Sequence, residues 1–253
     1  MDAAVVLFAV LCFAEPSVKD QVVVGDRNFV VTAPTREFAN EILLIANAAR
    51  TEIARDWVGS DAAERIPRSG IEVTVDRQQQ WAGLQIRGEK DQRVFTIVLS
   101  TDEVATAHAS LRHEVAHLIL HSIFDDRLPA WADEGVACSE DSKNVVKTLR
   151  RTTSWYPLTG KWPKLGSVLN RKKIEATDYQ EYALSWSLTQ FFLDRGSKEK
   201  LLKFAVEGKA TNWNTVLRKY YSISNEKELQ ELWQEWVRAT TSDPTTELTG
   251  LRQ

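Results

Sequence analysis

The sequence predicts an α+β fold: a small N-terminal mixed β-sheet with one helix packed on it, then a mostly helical half. Val-rich runs of strand length cluster in the first hundred residues, and segments with helical spacing of apolar residues dominate the remainder. No internal repeat or low-complexity block breaks this order. Strands followed by helices therefore read as segregated layers.

The elements follow in order. QVVVGDRNFVVTAP (21–34) reads as a hairpin, two Val-rich strands around Gly25 and Asp26. TREFANEILLIANAARTEIARDWVG (35–59) reads as a helix. Its apolar positions Phe38, Ile42, Ile45, Ala49 and Ile53 keep the helical period, and Gly59 stops it. GIEVTVD (70–76) is a strand, and WAGLQIRGEKDQRVFTIVLS (81–100) is a strand pair around a charged turn. A helix covers 102–123. A second helix starts in PAWADEGVACSE (129–140), with Pro129 near its N-terminus. Residues 141–178 are basic, carry Trp and Pro, and are only weakly periodic; they read as long loops with a short helix. DYQEYALSWSLTQFFLDRG (178–196) reads as a strong amphipathic helix ending at Gly196. Helices near 197–208, 211–221 and 225–240 finish the domain, and a polar tail occupies 241–253. The expected organisation is one domain over 20–240, with a sheet part at 20–123 and a helical part at 124–240.

MDAAVVLFAVLCFAEPS has the order of a secretory signal: an apolar run, then small residues at Cys12 and Ala14, then Glu15 and Pro16. Asp2 stands where such signals carry Lys or Arg. The expectation is a signal peptide over 1–14 and an exported protein. No later segment reaches the roughly 20 apolar residues of a spanning helix, so no stable membrane insertion is expected after signal removal. The chain has two cysteines, Cys12 and Cys138. Signal removal leaves Cys138 alone, which excludes a disulfide framework and a thiolate zinc site. A net charge of -3 gives no whole-protein case for nucleic acid or an anionic membrane surface.

The chemistry concentrates in LRHEVAHLIL (111–120). Residues four apart on an α-helix project from one face, so His113 and His117 can aim two imidazoles at one point. Zn²⁺ accepts imidazole nitrogen at about 2.0–2.1 Å. Glu114 is turned about 100° around the axis. It is poorly placed as a ligand but within reach of a water on such an ion, which makes it the general base. A hydrolytic zinc needs a third protein ligand and an open fourth position. The metzincin spacing, Gly three and His six residues after the second His, fails because Leu120 and Ile123 stand there. LPAWADEGVA offers Glu134 instead, if the chain turns at Asp125, Asp126 and Pro129 so that the second helix folds back. Asp133, one position off, suits a cap or a hydrogen bond to a ligand histidine.

The pair of motifs, His-Glu-x-x-His at 113–117 and Pro-x-Trp-x-x-Glu-Gly at 129–135, resembles the gluzincin metallopeptidases, and within them the peptidase MA-like domains of bacterial exported proteins. With YALSWSLTQFFLDRG, the resemblance covers roughly 94–206. It implies a thermolysin-like catalytic domain that cleaves peptides as a monomer, with one Zn²⁺ held by His113, His117 and Glu134. Peptide hydrolysis needs a donor to its oxyanion besides the metal. Tyr182, heading a helix like the family's Tyr-led one, is the first candidate and Tyr179 the second, with plain packing as the rival reading. In this group the strand equivalent to RVFTIVLS is an edge strand at the cleft, where an extended peptide can add; a core strand is the plainer reading. The family often places an acid four residues after the ligand Glu, to orient a ligand histidine. Here that residue is Cys138, so the role passes to Asp133, a backbone carbonyl or a water.

His121 continues the spacing of the two ligands but lies too far along the axis to join them. It reads as a residue behind the ligands, and His108 as a surface residue. Arg150, Arg151, Lys161, Lys164 and Arg171 to Lys173 would favour acidic substrates, although a solvated face is the plainer reading. The Gly-x-Met-Glu-Asn type signature for holding a free amino terminus is missing, which favours an endopeptidase. Two alternatives stand beside the enzyme: a catalytically silent metal-binding scaffold, suggested by Cys138, and a metal-free helical interaction protein.

Overall fold

The computed structural model describes residues 21–241 except 77, 79, 90, 91 and 102. The expected signal segment at 1–14 and all but the first residue of the expected tail lie outside the described residues. The architecture is α+β. Strands β1 (Val22–Gly25), β2 (Phe29–Ala33), β3 (Ser69–Val75), β4 (Trp81–Arg87) and β5 (Val94–Thr101) form a mixed sheet in the order β1-β2-β3-β5-β4. β2, β3 and β5 run parallel, and β1 and β4 pair antiparallel at the two edges.

Alternation explains which face is covered. Phe29, Val31, Ile71, Val73, Phe95, Ile97 and Leu99 are buried, while Val30, Thr32, Thr74, Thr96 and Val98 between them are half-buried and Glu72 is exposed. Helix α1 (Arg36–Trp57) packs over β1 and β2, and α3 (Val104–Phe124) over β5 and β4, side by side. Thr35 caps α1, its hydroxyl accepting from the Phe38 amide. On α1 the core-facing stripe is Ala39, Ile42, Ala46, Ala49 and Ile53, whereas Phe38 and Ile45 are only half-buried. Small residues let this helix lie close on the sheet. A short α2 (Ser60–Ala63) follows Gly59, whose φ of 88° breaks α1 from it.

The strand RVFTIVLS is not an edge. β5 is bonded to β3 on one side and β4 on the other, so the exposed edge near α3 belongs to β4. The charged turn folds β4 outward and gives β5 the inner place.

Beyond α3, a tight turn with Asp125 at φ 52° leads into α4 (Ala130–Ser139). Arg93 pairs with Asp126 at 2.9 Å, and the Lys209 ammonium donates to the carbonyls of Asp126 and of Leu128, the latter at 2.6 Å. These cations hold the turn that sets α4 against α3. The expectation of long loops over 141–178 is corrected: α5 (Lys143–Thr159) and α6 (Leu165–Leu169) lie there. The Ser142 hydroxyl accepts from the Val145 amide, Gly160 ends α5 at φ 68°, and Thr148, Thr152 and Thr159 return their hydroxyls to carbonyls four residues back. α5 buries only Leu149 and Thr153 fully.

α7 (Tyr179–Leu193) is also corrected. It was expected to be amphipathic, but Ala183 through Thr189, Phe191 and Phe192 are all buried. α4, α5, α6, α8 (Lys198–Ala210) and α10 (Glu226–Thr241) surround it, with α9 (Trp213–Tyr221) behind α8. One apolar core runs from Phe29 to Val237 through both halves of the chain. Trp131 is fully buried in it, its ring centroid 5.8 Å from Phe192, 6.3 Å from Phe204 and 6.2 Å from Trp213. Among the described residues no helix is long and apolar enough to cross a membrane.

Candidate metal centre

The site lies where α3 meets α4. One turn apart on α3, His113 and His117 bring their Nε2 atoms to 3.1 Å. α4 is anchored by Trp131 and runs against α7 so closely that a Cβ on Gly135 would lie 2.1 Å from Thr189 Oγ1 and 2.4 Å from the Ser185 carbonyl. This approach places Glu134, the preceding residue, with Oε2 3.6 Å from His113 Nε2 and 3.5 Å from His117 Nε2. Three ligands about 2.0–2.1 Å from a tetrahedral ion stand roughly 3.3–3.4 Å from one another. The three observed separations bracket that value.

The other ring nitrogens face acids. His113 Nδ1 lies 3.2 Å from Asp141 Oδ1, and His117 Nδ1 lies 3.2 Å from Asp133 Oδ2. With its Nδ1 hydrogen turned to Asp141, a neutral His113 ring aims its Nε2 lone pair at His117 Nε2. Glu134 Oε2 is buried with no hydrogen-bond partner among the described residues. Such a cluster of acceptors requires positive charge at its centre. Burial opposes charge on His113, yet Asp141 and Glu134 push it up to about 9. Burial likewise opposes charge on His117, and Asp133 and Glu134 outweigh it, raising that ring well above the ordinary value. Burial alone would raise the Glu134 carboxyl, but the charges of the facing His117 and His113 hold it down at about 2. Asp133 is held well below the usual carboxylate range, the two facing imidazoles overcoming its burial.

A divalent cation bound here would replace these protons. Metal uptake at neutral pH is therefore expected to release protons, and affinity to rise with pH until it passes about 9, where His113 loses its proton unaided. Titrations at pH 6, 7 and 8 check this; an affinity that stays flat across them would contradict the assignment.

No protein-family model, curated protein or solved structure matches the chain. The chemistry of the site rests on its own geometry.

Glu114, next to His113 but turned away, is outside the converging set among the described residues. It is 7% exposed, and burial raises its carboxyl above the usual glutamate value although His117 and His113 pull the other way. Tyr182 sits in the first turn of α7, packed with Val146 on the cluster of Cys138, Leu149, Ala183 and Trp186. Burial, then the negative charges of Glu134 and others including Glu114, push its phenol well up, so it stays a proton donor. Tyr179, the second candidate, is 74% exposed. His108 is exposed as expected, and His121 lies behind the ligands with Nε2 3.3 Å from Asp133 Oδ2.

Asp141 is the residue the sequence analysis missed. Cys138 occupies the customary acid position but is buried at 1% exposure. Burial raises its thiol, as do the charge of Asp141 and a hydrogen bond to it. The acid comes three residues later, just past the end of α4. Seven residues after Glu134 is two helical turns, the spacing that returns to the same face, and this was the available signal. Long-range contacts fix it there. Glu140 accepts from Trp57 Nε1 at 2.8 Å and from Arg112 Nη2 at 2.8 Å, while Arg112 Nη1 reaches Glu52 at 2.7 Å. These bonds tie the end of α4 to α1 and α3, beneath His113. Asp141→Ala is expected to weaken metal binding by about 10–100-fold with the fold retained, read as a dissociation constant by competition with a chelating dye.

Proposed function

We propose that the chain is a zinc-dependent peptidase of the gluzincin type, exported and acting on peptides or proteins. The observation that supports it best is the convergence of Glu134 Oε2 with the Nε2 atoms of His113 and His117, with a buried carboxylate, Glu114, on the adjoining face. Two imidazoles and one carboxylate suit Zn²⁺. Bound there, such an ion would polarise the scissile carbonyl and acidify water.

The residues of the chain divide the remaining work. His113 and His117 bind through Nε2, and Asp141 orients the His113 ring from behind. The Glu114 carboxylate takes the proton of the attacking water and hands it to the leaving amine nitrogen. Its raised pKa strengthens it as a base near neutral pH. The Tyr182 hydroxyl donates to the oxygen on which negative charge develops. The outward edge of β4 offers backbone groups to an extended peptide. The scaffold reading drew on Cys138; Asp141, 3.2 Å from His113 Nδ1, offers the carboxylate that Cys138 lacks and favours the enzyme reading.

The test is a peptide-library digest with the purified protein, with and without a strong chelator. Cleavage that the chelator stops and Zn²⁺ restores is expected. Cleavage indifferent to the chelator, or none in the metal-loaded protein, would refute the reading.

A further inference from the structure

The polar face of α3 does not end at His117. One turn on, His121 points its Nε2 at the same Asp133 oxygen that His117 Nδ1 faces, at 3.3 Å and 3.2 Å respectively. Charge-assisted N–H···O bonds close to about 2.7–2.9 Å. These separations are longer, and they fall at the roughly 3.3 Å expected between ligands of one tetrahedral ion. Polar atoms are stranded around the same point: His117 Nδ1, His121 Nδ1 and Asp133 Oδ1 are buried with no hydrogen-bond partner among the described residues. The His117 side chain is nine-tenths buried, whereas a quarter of the His121 side chain is open to solvent, giving an ion a way in.

We propose that His117 Nδ1, His121 Nε2 and Asp133 Oδ2 form a second cation site, which shares the His117 ring with the first. Two imidazole nitrogens and one carboxylate oxygen select a borderline transition-metal dication, Zn²⁺, Co²⁺ or Cu²⁺, over Mg²⁺ or Ca²⁺. The ligand sets differ apart from His117: the first centre uses its Nε2 with His113 and Glu134, the second its Nδ1 with Asp133 and His121. Filling both sites would need the His117 ring to give up its Nδ1 proton to solvent, its Nε2 serving the first set and its Nδ1 the second. The second site rests on the first-centre reading only through this shared ring.

The experiment is calorimetric titration of the full chain with Zn²⁺, with bound metal counted after gel filtration, for wild type, His121→Ala, His121→Asn and His113→Ala. Circular dichroism checks folding in each; His121 lies at the end of α3 and is partly exposed, so both replacements there should fold. Wild type is expected to bind two equivalents in separable steps, and both His121 variants one. His113→Ala should lose the first centre and keep the site at His121. One equivalent in wild type that persists in both His121 variants and vanishes in His113→Ala overturns the second site and leaves the first standing. Two equivalents persisting in either His121 variant also overturn it. One equivalent that follows His121 and ignores His113 keeps this site and overturns the first-centre reading. No binding in wild type overturns both.

Discussion

Glu114→Gln should keep its metal and lose about 10²–10⁴-fold in peptide turnover, the usual contribution of a positioned general base. Glutamine matches glutamate in size, so the packing of α3 is preserved, but its amide cannot accept a proton at any working pH. Glu114 is not among the converging ligands, so metal content should stay at the wild-type value. The residual rate should also lose its acid limb. In wild type, activity should fall with acidity as Glu114 takes up a proton, at a pH above the ordinary glutamate value because burial has raised it. Rates measured from pH 4.5 to 8 for both proteins, with metal content by elemental analysis, test this. A variant that cleaves at the wild-type rate would remove Glu114 from the mechanism.

Gly135→Ala should be strongly destabilising. On helix propensity alone, alanine would be better than glycine by about 1 kcal/mol. The packing reverses that sign. The new Cβ would meet Thr189 Oγ1 at 2.1 Å and the Ser185 carbonyl at 2.4 Å, and the second of these is backbone that no rotamer change can move. Separating α4 from α7 should cost about 3 kcal/mol, at the upper end for overpacking. For a domain of this size that is a fall of roughly 6–12 °C in melting temperature. Because Glu134 is the adjacent residue, the shift should also pull its carboxylate from the two imidazoles and weaken metal binding. A thermal melt and a metal titration read the two effects. Wild-type values in both would show that α4 and α7 are not held so close.

The largest features were legible because each is local. The segregation of strands from helices follows from side-chain period, and His113, Glu114 and His117 follow from helical spacing within five residues. Glu134 was legible through the turn at Asp125, Asp126 and Pro129 and through the resemblance of Pro-x-Trp-x-x-Glu-Gly to a known motif. Features set by distant contacts were less accessible. Which strand of the β4–β5 hairpin lies inside depends on pairing with β3. α5 was read as loop because it carries threonines and a proline and most of it faces solvent. Asp141 has the right spacing, but it lies just past the helix. Its place depends on Glu140 bonding to Trp57, 83 residues earlier in the chain.

The all-round burial of α7 has a consequence for how the molecule is made. As the chain leaves the ribosome, residues 179–193 emerge before α8 and α10, the helices that complete their cover. During that interval Leu188, Phe191 and Phe192 are bare apolar surface of the kind that draws chaperones or aggregates. A chain cut before Glu226 would lack α10 and leave part of this surface bare, so it is expected to be poorly soluble although every proposed ligand precedes the cut.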